Sequence, residues 1–242
     1  MYSDRLGRDM ELKTYGHAGK PVVVFPSSGG RFFEYEDFQM VDACSPFIEQ
    51  GIIRLYTLDS VDRESWLDNG KDPGSRARRH NDYDAYVVDE MVPFIRHDSG
   101  YEGGLLATGC SMGGYHSANL FFRHPDVFDG LIALSGIYDA RFFVGDTNDF
   151  DVYINSPVDY LASMEDPWFL DRYRRGSIVV CVGLGRWEED SIRHTRRMQD
   201  ILAEKNVPAW IDYWGYDVDH DWPWWRIMMP YFLQELHQQG KL

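Results

Sequence analysis

The sequence predicts an α/β fold, a mainly parallel sheet flanked by helices, in a single domain over residues 1–242. Three observations carry this. Short, wholly apolar runs recur, the β-branched Val22–Phe25, Leu131–Leu134 and Ile178–Val182 among them, as in strands covered on both faces. Between such runs lie stretches with apolar residues at three-to-four spacing, the period of an amphipathic helix. The two patterns alternate along the chain, which is how helix-connected parallel strands read.

The elements follow in order. Asp9 to Gly16 alternates polar and apolar residues, as a half-exposed strand does. His17–Pro21 is a turn, and Val22–Phe25 a buried strand. The Gly-rich loop Ser27–Gly30 comes next, then a helical stretch through Val41 and Phe47, and a strand from Ile52 to Leu58. Residues 60–80 are polar and loop-like. Tyr83, Tyr86, Val87, Met91 and Phe94 predict a helix over Asp82–Ile95. Leu105–Thr108 is a strand, and a helix over Met112–Arg123 is stopped by Pro125. After the Leu131–Leu134 strand, residues 136–176 are irregular and contain Pro157 and Pro167. A stretch that long in a compact domain marks a small lid or insertion, here between the last strands. Beyond Ile178–Val182, the residues Ile192, Thr195, Met198, Ile201 and Leu202 share one helix face. Ala209–Trp214 is the last strand, and a Trp-rich helix closes the chain.

Composition narrows the function. A chain of 242 residues buries roughly three quarters of its unfolded surface without disulfide or metal staples. Apolar residues make up 44% and aromatic residues 15%, which excludes intrinsic disorder. The balance of 24 basic against 39 acidic residues, net −15, repels nucleic acid. Strongly anionic substrates are disfavoured too, unless the pocket is locally basic, for example through Arg31 or Arg186. No apolar run approaches the ~20 residues of a membrane span. The start, Met1-Tyr2-Ser3-Asp4-Arg5, lacks a signal-peptide core. Cys110 and Cys181 sit in strand-like runs and read as buried thiols, so a cytoplasmic location is expected. Oligomeric state is not encoded in any of these features.

The chemistry lies in Gly109-Cys110-Ser111-Met112-Gly113-Gly114. G-x-S-x-G is weak as a bare pattern, but this one lies between a buried strand and a helix. In that context the tight turn lifts the Ser111 hydroxyl above the sheet, and the glycines avoid collisions with neighbouring elements. A serine hydroxyl needs a base. His220, in Asp217-Val218-Asp219-His220-Asp221-Trp222-Pro223, stands between the last strand and the last helix, where the chain order Ser, acid, His places it. His116 and His124 lie on the helix after Ser111, His80 and His97 flank a surface helix, and His194 and His237 read as polar helix positions.

The acid belongs on the loop after Ile178–Val182, which reads Leu184-Gly185-Arg186-Trp187-Glu188-Glu189-Asp190. Glu188 is favoured because Glu189 and Asp190 read as the first turn of the helix, with Glu189 the close second. An oxyanion needs two preorganised donors. Met112 N–H supplies one, and the second comes from Ser27–Gly30, with Ser28 favoured and Gly29 the alternative.

Gly109–Tyr115, followed by His124-Pro125-Asp126-Val127-Phe128, resembles the esterase D type branch of the α/β hydrolases. That branch includes S-formylglutathione hydrolases, enterochelin and feruloyl esterases, and mycobacterial mycolyltransferases. His220-Asp221-Trp222-Pro223-Trp224-Trp225 is similar to the His-x-Trp-x-x-Trp pattern on the mycolyltransferase side. The loop Phe25–Arg31 departs from the Asp-Gly form of that group. The resemblance, over about residues 9–235, implies the α/β-hydrolase fold, Ser111 as nucleophile, Glu188 or Glu189 as acid, His220 as base and Met112 N–H as an oxyanion donor.

The expected function is therefore serine carboxylic-ester hydrolysis on a small-molecule ester, with no cofactor and no metal. Acyl transfer or thioester hydrolysis by the same triad, or a non-catalytic binding module on the same fold, are the alternatives. A metal site on Asp217, Asp219, His220 and Asp221 is disfavoured because alternation puts His220 on the opposite side from the acids. Gly183-x-Gly185 is not a dinucleotide motif, since Glu188 stands where the third glycine belongs. Trp66, Phe142, Phe143, Trp168, Trp222 and Trp225 divide between core packing and a substrate pocket.

Overall fold

The computed structural model describes residues 1–242. Nine strands occur: β1 (Tyr2–Ser3), β2 (Arg8–Asp9), β3 (Leu12–Tyr15), β4 (Lys20–Phe25), β5 (Ile53–Leu58), β6 (Leu105–Cys110), β7 (Phe128–Leu134), β8 (Ser177–Val182) and β9 (Trp210–Tyr213). The first two form a small antiparallel ribbon, and the others a seven-stranded sheet in the order β3-β5-β4-β6-β7-β8-β9. Within the seven-stranded sheet only β3 runs antiparallel to its neighbour. The chain leaves β4, builds β5 on one side, then crosses back to place β6 on the other. Loops after β4 and β6 therefore diverge at a switch point on the carboxyl edge of the sheet, where ligands of such sheets bind.

Alternation along the buried strands sends side chains into two cores. Val23, Phe25, Ala107, Leu131, Ala133 and Val180 point to one face, packed by the helices over residues 73–99, 112–123 and 189–204. Val22, Val24, Leu106, Ile132, Leu134 and Val179 point to the other, under the helices Met40–Glu49 and Trp222–Gln238. Each fully buried Leu, Val or Phe contributes on the order of 1.5–3 kcal/mol.

Two stretches differ from the sequence expectation. The polar segment 60–80 is not all loop, since a helix spans Pro73–Tyr86 with Asp72 Oδ1 accepting from Ser75 N–H at 2.9 Å. Its arginines and His80 hid the apolar period, although Asp-Pro is a helix-start signal. That helix runs on through a π-helical turn, Val87–Met91, into Val92–Ser99. Pro93 offers no N–H to the Asp89 carbonyl and its ring would press on it, and the widened turn accommodates this. Residues 136–176, between β7 and β8, hold four short helices, Arg141–Val144, Phe150–Tyr153, Pro157–Tyr160 and Pro167–Arg175. Each of the last two starts with a proline at its first position. No helix is long and apolar enough to cross a membrane.

Candidate active site

Ser111 stands between β6 and the Met112–Arg123 helix at φ 56°, ψ −118°. Few non-glycine residues adopt this backbone, and it persists because its surroundings fix it. Ser111 N–H donates to Leu134 O at 2.8 Å. The motif glycines are closed to any side chain. A Cβ at Gly109 would lie 2.5 Å from the Gly113 carbonyl carbon, and one at Gly113 would lie 2.3 Å from Phe25 O. The first turn of the helix thus rests directly on the segment entering Ser27–Gly30.

The structure brings Ser111, His220 and Glu188 into one hydrogen-bonded line. His220 Nε2 is 2.9 Å from Ser111 Oγ, and His220 Nδ1 is 3.0 Å from Glu188 Oε2. The His220 side chain is 20% exposed while that of Glu188 is fully buried. Glu189 begins the Glu189–Glu204 helix and faces solvent. The other Glu188 oxygen, Oε1, accepts from Ser135 Oγ at 2.6 Å and from Gly183 N–H at 3.3 Å. Trp225 Nε1 donates to Ser135 Oγ at 3.0 Å, and its ring meets the His220 imidazole edge-on, 5.0 Å between centroids.

The acid loop and the histidine loop are closely joined. His220 N–H donates to Arg186 O at 3.0 Å, and Gly185 N–H to Val218 O at 2.9 Å. The Arg186 guanidinium grips Asp219 Oδ2 at 2.9 and 2.7 Å. A Cβ at Gly183 would stand 2.1 Å from Val218 O, and one at Gly185 2.4 Å from Asp219 Oδ1. Gly183-x-Gly185 therefore exists for the approach of the histidine loop. Asp221 accepts from Trp222 N–H at 2.7 Å at the start of the last helix.

Met112 N–H and Ser28 N–H each lack an acceptor within the protein. Met112 heads its helix, where the first N–H groups have no intrahelical partner. Ser28 and Gly29 form the corner of a turn closed by Gly30 N–H to Ser27 O at 2.9 Å, with Gly29 at φ 65°. Buried Glu34 clamps this turn, accepting from Ser27 N–H at 2.7 Å and Ser27 Oγ at 2.6 Å. Burial raises the Glu34 carboxyl above the usual range, against the pull of those two donors.

Of the aromatic candidates, Trp66 is wholly buried, Trp222 and Trp225 are nearly so, and Trp168 is exposed with Arg172 over its ring. Phe143 packs with Trp66 and Tyr115, so the insertion rests on the helix that follows Ser111. Two histidines expected on surface or polar positions, His80 and His194, are buried instead, as is His116 on the helix after Ser111. His116 faces Asp62 at 2.9 Å, His80 stacks on His116, and His194 accepts from the backbone N–H groups of Tyr138 and Asp139, each at 3.1 Å. A helix with mixed polar faces hides such internal partners from any reading of periodicity. Ser135 was not foreseen. Its only sequence signal is a Ser-Gly pair ending a buried strand.

A protein-family profile described as "Putative esterase" matches residues 3–236. Solved structures with similar folds include a ferulic acid esterase, 16% identical, TM-score 0.76, covering 98% of this chain and 95% of the other. Mycobacterium tuberculosis MPT51 (FbpC1) is 15% identical with a TM-score of 0.73, covering 97% and 94%. An S-formylglutathione hydrolase from Agrobacterium tumefaciens is 14% identical with a TM-score of 0.73, covering 97% and 91%. Among curated proteins none is significantly similar in sequence. The chain belongs to the esterase family, has the α/β-hydrolase fold, and is a hydrolase of carboxylic esters.

Proposed function

We propose that the protein cleaves small-molecule carboxylic esters through an acyl-enzyme, with Ser111 as nucleophile, His220 as base and Glu188 as the acid that orients it. The observation that carries this is the unbroken line from Ser111 Oγ through both nitrogens of His220 to Glu188 Oε2, at 2.9 and 3.0 Å. Ser111 Oγ bonds to the ester carbonyl carbon as its proton passes to His220 Nε2. Glu188 holds Nδ1–H and stabilises the imidazolium. The tetrahedral oxyanion takes its hydrogen bonds from Met112 N–H and Ser28 N–H. Collapse breaks the bond to the leaving oxygen, which departs with the proton from His220. Water, deprotonated by the same imidazole, then releases the acid and restores Ser111.

Neither a metal nor an organic cofactor has a part in this scheme. The three buried, unpaired cysteines suit a reducing compartment and support a cytoplasmic location. The test is hydrolysis of short p-nitrophenyl esters together with labelling by a fluorophosphonate. The wild-type protein should do both, and Ser111→Ala should do neither. Unchanged turnover in Ser111→Ala would remove the assignment, while absence of labelling in the wild type would favour a binding module.

A further inference from the structure

The acidic surface poses a question about substrate charge, and two arginines stood as candidates to answer it locally. Both are neutralised. Arg186 is held by Asp219, and the Arg31 guanidinium lies 2.7 Å from Asp59 and 2.8 Å from Glu11. A different arginine stands free beside the oxyanion loop.

Arg63 belongs to the turn Asp62–Glu64, whose flanking residues are fixed. Asp62 turns inward to His116 at 2.9 Å, and Glu64 pairs with Arg8 and with Arg79 at 2.6 Å. The residue between them is thereby directed outward, exposed, and forms neither an ion pair nor a hydrogen bond within the protein. A Cβ built at Gly29 would lie 3.6 Å from Arg63 Nε and 3.5 Å from Leu67 Cδ1. The guanidinium therefore lies beside the turn that carries Ser28 N–H, where a side chain at Gly29 would touch it. The cavity there, about 370 Å³, is lined by Arg8, Arg31 and Arg63 against Asp59 and Glu64, and it includes Gly29 and Gly30. Arg8 shares Glu64 with Arg79, Arg31 holds Asp59 and Glu11, and Arg63 is the guanidinium left without a carboxylate. In a chain of net charge −15 Arg63 is an unpaired cation beside the turn that carries Ser28 N–H.

We propose that Arg63 is a specificity residue that selects esters carrying an anionic substituent, a carboxylate or phosphate placed a few atoms from the scissile carbonyl. The inference rests on the esterase reading above. Guanidinium recognises both groups through paired N–H donors, and an exposed charge pair is worth about two- to fivefold in affinity or rate.

The test compares two p-nitrophenyl esters of similar length, neutral p-nitrophenyl valerate and anionic mono-p-nitrophenyl glutarate, with inorganic phosphate as a competitor for the phosphate arm. In the wild type, kcat/KM for the glutarate should exceed that for the valerate about two- to fivefold, the ratio falling with added salt. Arg63→Gln should bring the ratio close to one, Arg63→Glu below one, and Arg63→Lys should retain part of it. Competitive inhibition by phosphate, lost in Arg63→Gln, would identify phosphate as an accepted group, and its absence with the glutarate preference intact would restrict the site to carboxylates. A ratio near one in the wild type, or one that Arg63→Gln leaves unchanged, overturns the inference while hydrolysis itself stands. Hydrolysis of neither ester overturns the esterase reading and this inference with it.

Discussion

The Ser135 hydroxyl lies 2.6 Å from Glu188 Oε1, the carboxylate oxygen that His220 does not use. It accepts from the Trp225 indole on its other side, so its own proton is directed at the carboxylate. Glu188 is thus held at both oxygens, and the plane it offers to His220 Nδ1 is fixed. Hydrogen bonds to a buried charge contribute about 1.5–3 kcal/mol. Ser135 has φ 52°, which glycine adopts without strain, so Ser135→Gly removes the hydroxyl and little else. It should lower kcat about tenfold or more with KM little changed. A kcat within about twofold of wild type would show that Ser135 only fills space.

Trp225→Phe keeps the ring against His220 but removes the indole donor. Its effect should be smaller, about two- to fivefold in kcat, because Ser135 keeps its bond to Glu188. A larger loss than in Ser135→Gly would reverse the order of the relay.

The choice between neighbouring acids is separable. Glu188→Gln retains shape but removes the charge that stabilises the imidazolium, and kcat should fall by about 10²–10⁴. Glu189→Gln, exposed at the start of its helix, should stay within about twofold. A loss in Glu188→Gln no greater than in Glu189→Gln would remove Glu188 from the triad.

Much of this site was legible from residue order because its chemistry depends on local geometry. Gly109-Cys110-Ser111-Met112-Gly113 encodes a strand-to-helix turn, and the turn needs its glycines for reasons that a single segment displays. Glu188 was favoured over Glu189, its close second, because a helix start leaves its own pattern. Ser135, Arg63 and the inward turn of Asp62 were not legible. Each acts through a partner more than fifty residues away or on another loop, as in Ser135–Glu188 or Asp62–His116, and single-chain spacing carries no record of such pairs. The helix over Pro73–Tyr86 was missed for a related reason. Its buried Arg76 and His80 find internal partners, so polarity there does not mark a surface.

Gly183 offers a test of how the histidine loop is seated. A methyl group there would meet Val218 O at 2.1 Å, two residues before His220, and the loop must retreat. Displacement of about 1 Å at a reacting group costs about a hundredfold. Gly183→Ala should therefore lose kcat on that scale while keeping a cooperative thermal transition. Full activity would mean that the loop relocates without carrying His220 with it.

Stability should depend on pH through His194. Its Nδ1 accepts from two backbone N–H groups, those of Tyr138 and Asp139, and an acceptor nitrogen cannot also hold a proton. Burial lowers its pKa to about 4, with Asp139 and Asp190 pulling upward and Arg193 and Arg197 pushing downward. Between about 6.5, the value expected for an unfolded chain, and about 4, the unfolded state holds the proton and the folded state does not. Acid in that window therefore favours unfolding, and stability rises with pH across it. The full window corresponds to about 3 kcal/mol. His194→Asn presents an oxygen acceptor that does not titrate. Its unfolding free energy, followed by urea denaturation from pH 4 to 7, should rise less steeply than that of the wild type by about one proton. Parallel slopes would place the acid sensitivity elsewhere.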